Sequence, residues 1–512
     1  MEEIVSILHI SDLHRSKDCE ITNKSLLSSL VNDKDSYTQS ESPKIKAPDI
    51  IIVGGDIIRG FTNIDSSEHE VKEQYTEALN FLNDLVTHFL NGDKQRLLVI
   101  PGNHDIDWKY SKESMNKIEN NRIFDSSNNV KTQLLKEVIN QHSKIRWSWK
   151  DLSFYEINDQ SKYDNRLKAF ANFYDELYEG KRKYSIDPKS QYDIFDFTNF
   201  NITIAAYNSC YCNDHLRLVG DIHPDCIAGA NFKLREFKKK GRLIFATWHH
   251  NTKGLPYDSN YMDSSKLKNF INSGIALGFH GHQHKTELIH EYSDVIEQKK
   301  IIVFSAGTLC GGPNELPTGN NRQYNLVEIK SNDDVDSIDV KLHIREKTDS
   351  SSFDNPIWAA GRIDSNLVSY HTVKIDKPKA QEVGTILIEI EQLMKNKKFE
   401  DAKERLLKLP STDDFVRKFL LECIIQTQDY ELALKIYSQP KTDAECITIL
   451  DSAIRLNDKA KMRDCLSGVK NYGSTNFPAN DVKWYKLEFD LPIIKNGNGW
   501  GSSSLTSNIA SA

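Results

Sequence analysis

The chain has 512 residues, 27% of them charged, and a formal net charge of -7. That length exceeds what one hydrophobic core organises, so two or more domains are expected. The charge balance argues against wholesale electrostatic binding of nucleic acid, leaving room for a local basic groove, and no run approaches the roughly 18 apolar residues that span a bilayer. The acidic start, Met1-Glu2-Glu3, leads straight into a strand and predicts no secretory signal. The eight cysteines are scattered without a Cys-x-x-Cys pair. Reduced thiols and a cytoplasmic location are expected, and no structural zinc of the usual spacing. The one close pair, Cys210-x-Cys212, reads as packing at a strand end.

In chain order, residues 4–10 form an isoleucine- and valine-rich run, as in a strand buried on both faces, and end in Ser11-Asp12-Leu13-His14. Residues 26–31 are a short helical patch, and the polar stretch 32–48 predicts a loop. Residues 49–53 give a second strand closed by Gly54-Gly55-Asp56, where glycine permits a tight turn. Leu79, Leu82, Leu85, Val86 and Phe89 fall at helical spacing. A third strand over 96–100 is stopped by Pro101-Gly102 before Asn103-His104-Asp105. Strand, helix and strand imply a parallel pairing with a right-handed crossover. Residues 107–196 mix charge with aromatic residues and predict a mostly helical insertion, a possible cap over the site. Strands follow over 200–207, 243–247, 275–279, 301–304 and 324–329, with a basic helix end over 232–240. Sheets flanked by helices account for the alternation.

Past residue 349 this pattern fades. Residues 350–380 read as part edge strand and part linker. Residues 381–495 are helical, with Val383, Ile386, Leu387, Ile390 and Leu393 on one face. Lys398-Phe399-Glu400-Asp401-Ala402 parallels Asp429-Tyr430-Glu431-Leu432-Ala433, which suggests a helical-hairpin repeat similar to tetratricopeptide repeats. A plain helical bundle fits as well. Residues 496–512, rich in Gly, Ser and Asn, predict a disordered tail.

Oxygen and imidazole side chains thus arrive repeatedly at strand ends, and the last group, Gly278–His284, reads G-F-H-G-H-Q-H. Carboxylate, amide and imidazole donors suit borderline divalent metals. One metal needs fewer ligands than are present, whereas two metals sharing a bridging carboxylate would use them all. Two-metal sites support in-line displacement at phosphorus.

Five ordered blocks, Asp12-x-His14, Gly55-Asp56, Gly102-Asn103-His104-Asp105, His249 and Gly281-His282-x-His284, resemble the calcineurin-like metallophosphoesterases. The resemblance runs over about residues 4–329 and implies a four-layer α/β/β/α fold for residues 1–349, which the helical pattern of residues 381–495 follows with a small all-α domain. It implies that Asp12, His14 and His284 hold one divalent metal, that Asn103, His249 and His282 hold another, and that Asp56 bridges them. Manganese, iron, zinc or nickel would serve, manganese first. His104 would stabilise the transition state or protonate the leaving oxygen, and Asp105 would orient His104. His249 is preferred to His250 as ligand, and His280 matches no ligand position.

Ser11-Asp12-Leu13-His14, Gly-Asn-His-Asp and Ile57-Ile58-Arg59 depart from the serine/threonine protein phosphatases. The chain looks closer to the branch of cyclic-nucleotide phosphodiesterases and the repair nuclease. The leading expectation is therefore a phosphodiesterase, in which a metal-activated water attacks phosphorus. A nuclease would need a basic strip, for which Lys181-Arg182-Lys183 and Lys238-Lys239-Lys240 are candidates; a phosphomonoesterase is the other alternative. A scaffold with a vestigial metal site is the reading of another class. Arg15, Arg59, Asn251, Tyr257 and Arg322 are weaker candidates for phosphate contact. The C-terminal helices are candidates for holding a protein partner.

Overall fold

The computed structural model describes residues 4–60, 68–140, 142–254, 260–294, 299–331, 337–361, 369–378, 390–409, 414–440 and 442–462. The chain divides into two units, Met1–Glu382 and Val383–Ala512.

In the first unit, strand β1 (Ile4–Ile10) is buried along nearly its whole length, as its apolar run requires. Helix α1 (Asn23–Asp35) starts at Thr22, whose hydroxyl accepts from the Ser25 amide. It continues as a π-helical turn over Ser36–Ser40, so part of the expected loop is helical. The reason is tertiary: Arg345, buried more than 300 positions away in sequence, meets Asp33 at 2.9 Å and Glu41 at 2.7 Å. Polar residues read as a loop are here one side of a buried ion network. Strand β2 (Ile50–Val53) runs parallel to β1. Helix α2 (Glu68–Leu90) buries Tyr75, Phe81, Leu82, Leu85 and Phe89 and crosses to β3 (Leu97–Val99), which is parallel to β2.

The segment expected to be a mostly helical insertion is mixed. It holds α3 (Trp108–Glu113), β4 (Met115–Lys117), α4 (Asn120–Ile123), α5 (Thr132–Ile139), β5 (Ile145–Ser148), β6 (Ser153–Ile157), α6 (Gln160–Asp164) and α7 (Lys168–Leu177). Strands β4, β6 and β5 form a separate three-stranded antiparallel sheet. The alternation was masked because one inward position of β5 is the charged Arg146 rather than an apolar residue. Arg146 meets Asp214 at 2.6 Å, with side chains only 3% and 0% exposed. Helix α7 turns Phe170, Phe173, Tyr174 and Leu177 into the main core, so the end of this segment belongs to the body of the unit.

Strand β7 (Tyr192–Phe197) is the edge of the second large sheet, pairing antiparallel with β8 (Ile202–Tyr207). Helix α8 (Pro224–Lys239), β9 (Leu243–Thr247), α9 (Ser265–Asn272), β10 (Leu277–His280), β11 (Glu287–Asp294) and β12 (Lys299–Ser305) complete it, in the order β11-β12-β10-β9-β8-β7. Alternate residues face opposite sides, as strand geometry demands. Ile202, Ile204 and Phe245 enter the core shared with the first sheet, while Ala205, Ile244 and Ala246 pack with Leu234, Leu267 and Phe270 of α8 and α9. Strands β13 (Gln323–Ser331), β14 (Ser337–Lys347), β15 (Trp358–Ala360) and β16 (Tyr370–Asp376) return to the first sheet. Its order is β15-β14-β13-β1-β2-β3, with β16 also on β14. Residues 350–380 therefore supply two edge strands. The result is the expected helix–sheet–sheet–helix layering.

In the second unit, described helices span Phe399–Leu406, Asp414–Thr427, Tyr430–Ile436 and Asp443–Arg455. Ala402 and Ala433, at matching places in the two similar segments, are both fully buried. Val383, Ile386, Leu387 and the tail 496–512 lie outside the described residues.

Replacing Arg146 by Ala leaves the Asp214 carboxylate buried without its partner, a loss of about 3–5 kcal/mol for such a pair. A lowered urea midpoint is expected for the first unit; an unchanged midpoint would show that the pair does not hold the insertion.

Candidate metal centre

The parallel pairing of β1 with β2 does not stop at the strand ends. Backbone bonds continue from Asp12 N to the Gly55 carbonyl (3.1 Å), from His14 N to Asp56 (3.0 Å) and from Arg15 N to Ile57 (3.0 Å). This puts two carboxylates side by side at the carboxyl edge of the first sheet. Glycine is required there. Gly55 has φ +96°, and a Cβ on it would fall 2.5 Å from the His249 ring. A Cβ on Gly102 would fall 2.1 Å from the Asp56 carboxylate.

The second sheet brings its imidazoles against these carboxylates. His284 Nε2 lies 3.2 Å from Asp12 Oδ1 and His14 Nε2 lies 4.0 Å from it. His249 Nε2 is 3.2 Å from Asp56 Oδ2 and 3.0 Å from Asn103 Oδ1. His282 Nδ1 is 2.9 Å from Asn103 Oδ1 and 3.2 Å from His249 Nε2. His104 Nε2 stands 4.0 Å from Asp56 Oδ2. The donors form three overlapping groups, Asp12-His14-His284, His14-Asp56-His104 and Asp56-His249-His282.

The donor set fits a pair of cations. Both ring nitrogens of His14 and His282 Nε2 are buried without a hydrogen-bond partner, an arrangement that costs free energy unless something else meets them. Oxygen and nitrogen lone pairs crowd one space. Five of these residues, Asp12, His14, Asp56, His282 and His284, also hold positive φ between 42° and 73°. For non-glycine residues this conformation is costly and clusters at functional sites. The other nitrogen of the outer imidazoles is oriented by backbone carbonyls: His249 Nδ1 by Gly54, His284 Nδ1 by Glu315 and His104 Nδ1 by Arg59, each at 2.7 Å. Metal-ligating histidines are commonly fixed in this way.

Charge follows the geometry. Burial alone would lower His249 and His284, yet the Asp56 and Asp12 carboxylates raise each to about 9. Burial would raise Asp12, yet His284 holds it at about 2. Burial and the neighbouring His104 lower His14 to about 4, and burial with His249 lowers His282 to about 3.

Other residues singled out from the sequence separate from this cluster. Asp105, expected to orient His104, makes no direct hydrogen bond to the His104 ring. It is buried and accepts from the Gly102 amide (2.8 Å), the Ile57 amide (3.2 Å) and the Tyr75 hydroxyl (3.0 Å), holding the loop of Asn103 in place. Burial and Asp56 push its carboxyl up to about 7. His250 turns behind His249 to the Ser209 hydroxyl at 2.9 Å, and His280 stacks on Trp248. Arg15 donates to the Ile21 carbonyl at 3.0 Å and Arg322 to the Gly311 carbonyl at 2.8 Å, both buried. Arg59 is exposed, Asn251 donates to the Lys253 carbonyl, and Tyr257 lies outside the described residues. Sequence reasoning missed Ser209, whose hydroxyl accepts from the His249 and His250 amides at 3.0 and 3.1 Å. It also missed the carbonyl acceptors, which no side-chain pattern could reveal.

Two carboxylates, an amide and a set of imidazoles, converging from the ends of two facing sheets, define a protein built to hold paired divalent metals. The family follows directly: the calcineurin-like phosphoesterase model matches residues 5–286, and the chain belongs to that family. Calcineurin-like phosphoesterases use a dinuclear divalent metal site, and the family description is that of enzymes acting on phosphoric esters. Among solved structures, a dimetal phosphatase from Danio rerio superposes with a TM-score of 0.34 at 9% identity, over 66% of this chain and 95% of that one. Vps29 of Chaetomium thermophilum gives a TM-score of 0.24 at 10% identity, over 73% and 100%. No curated protein sequence matches.

Because His249 and His284 are held protonated up to about pH 9 without metal, cation loading at pH 7 is expected to release both protons. Affinity then rises with pH and levels off above about 9. Calorimetry in buffers of different ionisation enthalpy counts the protons, and zero release would remove these two imidazoles from the ligand set.

Proposed function

We propose that this chain is a phosphodiesterase whose metals are held by Asp12, His14 and His284 on one side and Asn103, His249 and His282 on the other, with Asp56 between them. Manganese stands first among manganese, iron, zinc and nickel: the oxygens of Asp12, Asp56 and Asn103 suit it, while the imidazoles accept any of the four. When bound, the pair supplies Lewis-acid stabilisation of phosphoryl oxygens and acidifies a water nucleophile.

The observation that carries the reading is His104. Its side chain is 42% exposed while that of the neighbouring Asp56 is 2% exposed. The Arg59 carbonyl accepts from Nδ1 and leaves Nε2 for the site, 4.0 Å from Asp56 Oδ2. That nitrogen, when protonated, is placed to donate to a departing oxygen, the step in which general acids contribute.

Charge supports a diester. A monoester dianion is well matched by an arginine fork; of the three candidate arginines, Arg15 and Arg322 are buried and engaged by backbone carbonyls, and Arg59 alone is exposed. A singly charged diester needs less. The departures at Ser11 and Asp105 from the protein-phosphatase motifs agree with this. Cyclic nucleotides and nucleic acid are the substrate classes in view. The nuclease reading gains little from the basic clusters. Lys238–Lys240 precede β9, at the end of that strand opposite His249, and Arg182 is engaged by Asp193 at 2.7 Å. The complete donor set weighs against a vestigial scaffold. Cytoplasmic location and a protein partner on the C-terminal helices complete the proposal; the matched buried alanines Ala402 and Ala433 agree with the helical-hairpin repeat expected there.

Manganese-loaded protein is expected to hydrolyse bis-p-nitrophenyl phosphate in preference to p-nitrophenyl phosphate. His104→Ala should lower kcat by about 10²–10⁴ with metal content unchanged. A preference for the monoester would make the protein a phosphatase, and an undiminished His104→Ala variant would remove that residue from the chemistry.

A further inference from the structure

The Arg59 carbonyl that meets His104 Nδ1 at 2.7 Å belongs to the same planar peptide unit as the Gly60 amide. The Gly60 N–H donates to Gln74 Oε1 at 2.9 Å, and Gln74 Nε2 donates back to the Gly60 carbonyl at 3.2 Å. We propose that Gln74, on helix α2, is a positioning residue for His104: its carboxamide locks the Arg59–Gly60 peptide unit, whose carbonyl holds the imidazole.

The C=O and N–H of a trans peptide unit point in opposite directions and turn together. Holding the Gly60 N–H therefore aims the Arg59 carbonyl. Donation by that N–H also polarises the unit and makes its carbonyl a better acceptor. The two bonds act on one residue from one side chain. They leave the carboxamide a single orientation, with the oxygen on the amide and the nitrogen on the carbonyl. The side chain that does this is itself well placed. Gln74 is half-buried on α2, and the next residue, Tyr75, is among those that seat this helix in the main core.

The neighbouring contacts converge on the same ring. The Arg59 amide donates to the Arg15 carbonyl at 3.3 Å, so the chain is held before the carbonyl as well as after it. Gly60 has φ +79°, and a Cβ on it would fall 2.5 Å from the His104 carbonyl oxygen, so the two loops are in direct contact. The His104 amide donates to Asp56 Oδ1 at 2.8 Å, which fixes the main chain under the ring. Tyr75 donates to Asp105 Oδ1 at 3.0 Å. Consecutive residues of α2 thus grip the residue after Arg59 and the residue after His104. What is left free is rotation of the imidazole, and the Arg59 carbonyl is its partner at Nδ1. With Nδ1 as donor, Nε2 is the atom presented to the site, 4.0 Å from Asp56 Oδ2. Sequence patterns do not reveal Gln74, because it acts on backbone and carries no metal-type donor.

Gln74→Met keeps the length of the side chain and removes both hydrogen bonds. Full-length protein labelled with nitrogen-15 at histidine, and loaded with zinc to keep the resonances sharp, reports the ring directly. His104 signals are assigned by their loss in His104→Ala. The wild type is expected to show this ring as one tautomer, protonated at Nδ1, and Gln74→Met a mixture of the two. Unchanged His104 signals in Gln74→Met would overturn the proposal. Its kinetic part rests on the reading of His104 as donor to the departing oxygen. There Gln74→Met should lower kcat on bis-p-nitrophenyl phosphate about 10-fold, a share of the roughly 10²–10⁴ that a general acid contributes, with KM and metal content unchanged. In the His104→Ala background it should cost nothing further. A full additional loss there would show that Gln74 acts on something other than His104, and would overturn the proposal as well. If His104→Ala keeps full activity, the general-acid reading fails while the tautomer measurement still decides the role of Gln74, so the two failures are told apart.

Discussion

Two carboxylates, Asp12 and Asp56, stand side by side in the interior at 0% and 2% exposure. Like charges in a poorly polarisable interior cannot remain so without opposite charge close by. Each is met by an imidazole from the opposite sheet, Asp12 by His284 and Asp56 by His249, both at 3.2 Å. The facing of the two sheets is thus more than apolar packing. It is what brings the compensating groups to the carboxylates, and the crowded donor atoms are what paired cations satisfy.

The price of that convergence is local. Five residues of the cluster sit in left-handed backbone conformations, and Gly55 and Gly102 leave no space for a Cβ against His249 and Asp56. Such strain persists only where the surroundings over-determine it. Here the surroundings are rigid: buried strands behind the loops, Asp105 bonded to two amides and a tyrosine, and Ser209 under the His249–His250 turn. Asp105 is bonded to the Gly102 and Ile57 amides and the Tyr75 hydroxyl, while the His104 ring meets the Arg59 carbonyl.

Two buried ion pairs do related work away from the site. Arg345 with Asp33 and Glu41 ties α1 and its π-helical turn to β14, and Arg146 with Asp214 ties the insertion's own sheet to the segment after β8. Buried pairs contribute little net stability over apolar packing, yet leaving one partner alone is costly. They act here as registration marks. Arg345 reaches Asp33 in a stretch whose sequence predicts a loop, and Arg146 reaches Asp214 from an insertion whose sequence predicts helix.

The sequence by itself determined the parallel strands, because continuous β-branched runs such as Ile50–Val53 can only be buried on both faces. It also determined the candidate ligands, because each metal-type side chain closes one of those runs, and ligand chemistry is carried by residue identity. Tertiary structure alone decided the rest. Which histidine of the His249–His250 pair faces Asp56 depends on the loop's path, and Asp105 turns to amides that sequence cannot locate. The insertion's sheet and the helical turn over Ser36–Ser40 are shaped by charges whose partners lie far along the chain. Local periodicity reports what is buried only when the buried side chains are apolar; where a buried position holds an arginine or an aspartate, only the folded chain shows what it meets.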